Sequence, residues 1–308
     1  MIIKFANWFK KRWIFIYMNR KPYVIEDGLN TSYISSLLLG LFYNNSNNTE
    51  ILNTNSTNYS GIYLQEIIKN GFVDLINKNY SVTSDILNEI RNYSYLCGWC
   101  KDNKYFFKPQ DVIKYLDFLL QLFQYKILEI EKITVTEDMK CNEIIKKQYN
   151  IIDLEINENA TIKNLLDHWF EQNIIGKKEI KNQGDYTLYI DKYYYKLTSI
   201  PAFIPISIKR FNESNKKIKM SVDIMKKIKL NKVNDDTQKK LRWYISSIIC
   251  HKGDSFENGY YYCINKKMDK WILFDYHHIP SLTEIDISDD DVKEIIMTEC
   301  VLLIYSIG

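Results

Sequence analysis

Apolar positions in the first part of the chain recur at spacings of three and four, which predicts helices. Ser32 to Tyr43 reads as one, with Leu37, Leu38, Leu41 and Phe42 on its buried face. "GIYLQEIIKNGFVDLIN" (61–77) and "KPQDVIKYLDFLLQLFQY" (108–125) read as two more, and Pro109 suits the start of the latter. The Asn/Ser/Thr tract at residues 44–60 predicts a mobile surface loop. From about Lys126 the pattern changes to β-branched and aromatic runs, several alternating with period two: "YKILEIEKITV", "YNIIDLEIN", "YTLYIDKYYYKLTSI" and "FIPISIKRF". One helix, "TIKNLLDHWFEQ", interrupts them, and "LRWYISSIICH", "GYYYCIN", "KWILFDY" and "CVLLIYSI" close the chain as further strands. The pattern predicts an α+β fold, helical over 22–125 and rich in antiparallel strands over 126–308, with residues 1–21 as an N-terminal extension. No internal repeat is visible.

Composition narrows the function classes. The chain has 308 residues, is 46% hydrophobic and carries a net charge of +3. That charge is too small to argue for a nucleic-acid partner. The cysteines, Cys97, Cys100, Cys141, Cys250, Cys263 and Cys300, are too scattered for a disulfide framework. The extension "MIIKFANWFKKRWIFIYMNRK" is apolar and basic, but Lys10, Lys11 and Arg12 interrupt it. Its longest apolar run, Trp13 to Met18, is too short for a membrane span or signal core. It reads either as an element packed on the domain or as a surface for a partner or a membrane interface. The expected compartment is the cytoplasm, with a virus particle as an option.

Four segments carry the candidate chemistry. "GLNTSYISSLL" places a Gly/Asn turn before an apolar helix, with Ser32 where a helix-head nucleophile would stand. "KPQDVIKYLDFLLQL", "IPAFIPISIKRF" (200–211), and "ICHKGDSFENGYYYCINKKMDKWILFDYHHI" with the closing "CVLLIYSI" follow in order. Together they resemble the ubiquitin-specific proteases, papain-like deubiquitinases, over roughly residues 22–306. Asn30, Thr31, Tyr33 and Ser36 match that family's Cys box, while Leu29 replaces its Gly and Ser35 its second Asn. Gln110, Asp111 and Leu116 match its Gln-Asp helix, with Lys114 and Tyr115 as departures.

The resemblance implies a helical thumb, a β-rich palm and a reduced fingers region. It also implies a Cys–His–Asp/Asn triad, in which a helix N-terminus and an imidazolium stabilise the thiolate. In this chain the nucleophile position is Ser32, the base position is Gly259 and the orienting acid is Asp275. The oxyanion-hole position is Asp27, whose carboxylate would oppose a developing oxyanion. Ser32 has an alternative reading as a helix N-cap, and Asp275 one as a solvated strand-end carboxylate. His251 is expected on the strand before the loop, His277 and His278 in a turn after Asp275, and His168 on a helix face. No cofactor or metal is expected. Cys97 and Cys100 in "CGWC" have metal or redox spacing, but a pair of buried thiols fits them better, and the fingers region offers Cys141 alone.

The resulting expectation is a catalytically inactive, deubiquitinase-like protein that binds a protein, such as ubiquitin or a ubiquitin-like protein. Tyr260, Tyr261 and Tyr262 would help to fill its unused channel. The alternatives are a structural assembly component, and an active hydrolase in which Ser32 replaces an engineered-out cysteine and another histidine is the base.

Overall fold

The computed structural model describes residues 25–54, 59–100, 102–135, 141–157, 160–173, 192–197, 200–231, 240–278 and 281–307. The N-terminal extension and the first half of "YTLYIDKYYYKL" lie outside these residues. Helix α1 (Ser32–Phe42) is buried along its whole length, as an apolar helix without a polar face must be. Around it lie α2 (Tyr59–Glu66), a π-helical stretch (Ile67–Val73), α3 (Asp74–Asn77), α4 (Ser84–Leu96) and α5 (Val112–Leu122). Asp111, rather than Pro109, caps α5: its carboxylate accepts the Ile113 N–H at 2.8 Å and the Lys114 N–H at 3.3 Å. Tyr33 of α1 packs edge-on against Tyr115 of α5, with ring centroids 5.0 Å apart.

The Asn-rich tract differs from the expected loop. Ser46–Asn53 forms a 3₁₀ helix with Asn48, Ile51 and Leu52 buried. The Asn48 amide donates to the Leu41 carbonyl at 2.8 Å, which satisfies the C-terminal end of α1.

The strands form two sheets. A three-stranded sheet in the order β2-β1-β4 contains β1 (Leu128–Val135), β2 (Cys141–Tyr149) and β4 (Lys192–Leu197). It lies in the part of the chain where the resemblance implies the reduced fingers. The eight-stranded sheet runs β10-β9-β8-β7-β11-β5-β3, with β6 also paired to β7. Its strands are β3 (Ile152–Glu155), β5 (Phe203–Lys209), β6 (Lys227–Asn231), β7 (Lys240–Gly253), β8 (Gly259–Lys267), β9 (Lys270–Phe274), β10 (Leu282–Ile285) and β11 (Cys300–Ile307). The expectation of antiparallel pairing fails at one place, since β3 pairs parallel with β5. That geometry requires a long crossover between the two strands, and α6 (Ile162–Asn173) lies in it. A last helix, α7 (Asp290–Glu299), leads into β11.

Helix α1 lies against β7 and β8. The Asn265 amide on β8 donates to the Leu39 carbonyl at 2.6 Å. This packing sets the head of α1 beside the start of β8 and so defines the cleft. Among the described residues, no helix is long and apolar enough to cross a membrane.

Candidate functional site

The chain reaches α1 through a strained turn. Leu29 and Asn30 both have left-handed backbone angles, φ +48° and +57°. Asn tolerates that region and Leu does not, so the turn needs support from outside. The Arg91 guanidinium supplies it by donating to the Leu29 carbonyl at 2.7 Å, and the Asn30 amide donates to the Phe107 carbonyl at 2.8 Å. Asp27 is exposed at the head of α1. Its carboxylate accepts the Thr31 hydroxyl at 3.1 Å, and that hydroxyl in turn accepts the Gly28 N–H at 2.8 Å.

Ser32 is not the N-cap. Thr31 holds that position, and Ser32 is the first helical residue, buried with 7% exposure. Its hydroxyl oxygen instead accepts the Tyr261 backbone N–H at 3.2 Å. The helix therefore approaches β8 so closely that a strand amide takes over the role expected of a first-turn amide. The Tyr276 phenol also reaches the Ser32 side chain, and burial pushes that phenol well above its ordinary range. Neither the amide nor the neutral phenol can take a proton from Ser32 at neutral pH.

The base side is built from β7 and β8. Gly253 pairs with Gly259, and His251 with Tyr261. All four lie on one face of the hairpin, because directly opposed residues and those two apart share a side. A Cβ at Gly259 would run into the Lys252 carbonyl oxygen and the His251 ring, and would lie 2.9 Å from His251 Nε2. The imidazole of His251 thus stands in the space a side chain at 259 would need. That ring is 1% exposed and packs edge-on against Phe211 and Tyr261, with centroids 5.0 and 4.9 Å away. Burial, helped by the nearby Lys217 ammonium, lowers its pKa to about 4. His251 is on β7 as expected, but as a neutral core residue.

Asp275 is also not the solvated carboxylate of the simpler reading. It is 5% exposed and accepts three hydrogen bonds. The donors are His278 Nε2 at 3.2 Å, the Tyr260 hydroxyl at 3.1 Å and the His277 N–H at 3.0 Å. Burial alone would raise this carboxyl, but His278 above all, then the His277 amide and Tyr260, hold it below the usual range. The turn after β9 brings His278 back, with its N–H on the Asp275 carbonyl at 3.1 Å. His277 and His278 are in that turn as expected.

A cavity of about 480 Å³ opens at this point, lined among others by Lys252, Asp254, Gly259, Tyr260, His277 and His278. Ser32 is not part of its lining. The rings of Tyr260, Tyr276 and His277 form a cluster beside it, with centroids 4.1, 4.2 and 5.4 Å apart. Tyr276 links this cluster to Ser32. Tyr260 belongs to this cluster, Tyr261 is buried against the His251 ring, and Tyr262 is buried with its hydroxyl on the Glu299 carboxylate. The structure thus brings Asp275 to His278 and Tyr260, and Ser32 to Tyr261 and Tyr276. Sequence reasoning overlooked Tyr276, and its only signal was its position directly after Asp275.

Cys97 and Cys100 lie in the turn after α4, half-buried, with both thiols pushed up by burial. Trp99 between them packs 5.2 Å from Tyr115 and 5.3 Å from Phe118, which gives the turn a packing role. Cys141 lies on β2 and His168 is exposed on α6. No group of three or more His, Cys, Asp or Glu gathers as a metal site among the described residues.

Comparison with solved structures gives the same architecture. The chain superposes with a TM-score of 0.64 on a SAGA DUB module of a Ubp8 variant with Sgf11, Sus1 and Sgf73 bound to monoubiquitin, at 13% identity, covering 99% of this chain and 74% of that one. It matches the same module bound to ubiquitin aldehyde equally well, at 15% identity, covering 100% and 74%. At these identities the likeness establishes the fold. A sequence comparison with curated proteins found no match. The family profile Ubiquitin carboxyl-terminal hydrolase matches residues 26–305, nearly the whole described fold, and the chain belongs to that family.

Proposed function

We propose that this protein is a non-cleaving member of the family, one that holds ubiquitin or a ubiquitin-like protein without hydrolysing it. One observation carries the reading. Position 259, where the resemblance puts the general base, is a glycine whose side-chain space is taken by the Lys252 carbonyl and the His251 ring. Two further features support it. Ser32 has no proton acceptor among its polar contacts, and the Asp275 carboxylate is already bonded to His278 and Tyr260. Helices and sheet of the family fold surround the cleft, and the related modules are described as bound to ubiquitin.

The test is a titration of labelled ubiquitin into the protein, alongside ubiquitin lacking its last two glycines. Because Ser32 does not line the cavity and is buried, the reading expects saturable binding of both forms with similar affinity. Absence of saturable binding would overturn it. Binding lost with the two glycines would show instead that the tail reaches Ser32.

A further inference from the structure

Where β6 pairs with the start of β7, the large sheet carries a charge pattern that its own fold does not need. Ile228 is opposite Trp243 in the register, and both are buried, with 2% and 0% exposure. Their neighbours on each strand therefore lie on the other face. There Lys227 is opposite Tyr244, and Lys229 is opposite Arg242. All four are exposed, Tyr244 at 39%.

Lys229 and Arg242 are like charges set directly against each other across a ladder, an arrangement that weakens a sheet. Elsewhere the same sheet does the opposite. Lys209 on β5 pairs with Glu155, its register partner on β3, at 2.8 Å, and Lys270 on β9 pairs with Glu284 on β10 at 2.8 Å. Among the described residues no carboxylate forms an ion pair with Lys227, Lys229 or Arg242. Three cations thus share one small face, one pair of them at a cost to the sheet, and the charge that would balance them comes from outside.

We propose that this face binds an acidic segment of a protein partner. The two register pairs span roughly 7 Å along the strands and 5 Å across them, room for a short cluster of carboxylates. Arg242 can hold one carboxylate bidentately, Lys227 and Lys229 supply point charges, and the Tyr244 ring offers contact area beside them. A nucleic acid fits less well, because Tyr244 is the one ring on this face and a single strand is held by successive stacking platforms. A membrane fits less well too, because none of the four side chains is aliphatic and able to enter a bilayer. Roughly 30 Å of strand separates Arg242 from His251 at the cleft, so this surface is independent of the ubiquitin reading.

The experiment titrates the full chain into a fluorescent octaglutamate peptide, with an oligothymidine and phosphatidylserine vesicles as competing probes. The proposal expects saturable binding of the peptide that weakens with salt. Lys227→Gln with Lys229→Gln and Arg242→Gln should lower the affinity by about tenfold. Removing three exposed lysines elsewhere, by Lys108→Gln with Lys266→Gln and Lys293→Gln, should leave most of it. Lys229→Glu is the most discriminating variant. It replaces a repelling pair by an attracting one, so the melting temperature should hold or rise while peptide binding falls. Absence of saturable binding, equal losses in the two triple variants, tighter binding of the oligothymidine or the vesicles, or a melting temperature that falls in Lys229→Glu would each overturn the proposal.

Discussion

Arg210 and Asp275 are both charged side chains taken out of water, and they are satisfied in different ways. Arg210, 1% exposed, donates only to backbone: the carbonyls of Cys300 at 2.9 Å, Ile218 at 3.3 Å, Met297 at 2.5 Å, and Met220. It ties the end of β5 to the loop after it and to the junction of α7 with β11. Asp275 is satisfied mostly by side chains, His278 and Tyr260, that also line a cavity. A network made with backbone serves the fold, because replacing it unpins whole segments. A network made with side chains beside a cavity can be rearranged without losing the fold. That difference separates the two regions: the first resists substitution, while the second can change partners and leave the fold in place.

The sharpest way to break the comparison is at Arg210. Arg210→Met would leave several buried carbonyls without their donor, so chemical denaturation should show a loss of about 3 kcal/mol or more. A loss within the range of an ordinary surface change would contradict the structural role.

Acid offers the next test. The folded pKa of His251 is about 4, below its ordinary unfolded value of 6.5. Between these values the unfolded chain binds a proton that the folded chain does not. The stability is therefore complete above about pH 6.5 and is lost as pH falls toward 4, by up to about 3 kcal/mol. Asp275, held low, acts in the same direction. Melting temperatures across this window should fall in the wild type and fall less steeply in His251→Gln.

A smaller effect is expected at Gly259. Gly259→His alone should destabilise by about 1–3 kcal/mol, as overpacked sites do, because the ring must displace the Lys252 carbonyl and His251. Adding His251→Ala should recover part of that loss. Strict additivity of the two changes would show that the sites do not share one space.

Much of the scaffold was legible because it is apolar and periodic. The runs at 203–209, 240–253, 259–267, 270–274 and 300–307 are strands, and the residues from Ser32 and from Val112 are helices. Elements whose buried face is partly polar escaped. Helix α4 buries Arg91 and Ser94 beside Leu87 and Ile90, and α7 buries only Val292 and Ile296. The strands β2, β6 and β10 lie at or near sheet edges and lack a long apolar run. At the site, the sequence singled out Ser32, Gly259 and Asp275 as candidates, but their partners depend on tertiary geometry. No local pattern places the Tyr261 amide on Ser32, 229 residues away in sequence, or the His251 ring over Gly259. The His278–Asp275 contact is local, three residues apart, and an Asp opening a turn was its available signal.

The central claim concerns chemistry at Ser32, and the most direct measurement is turnover of a ubiquitin substrate bearing an activated C-terminal leaving group, compared between wild type and Ser32→Ala. The account predicts the same background rate for both proteins. Turnover by the wild type that disappears in Ser32→Ala would contradict it.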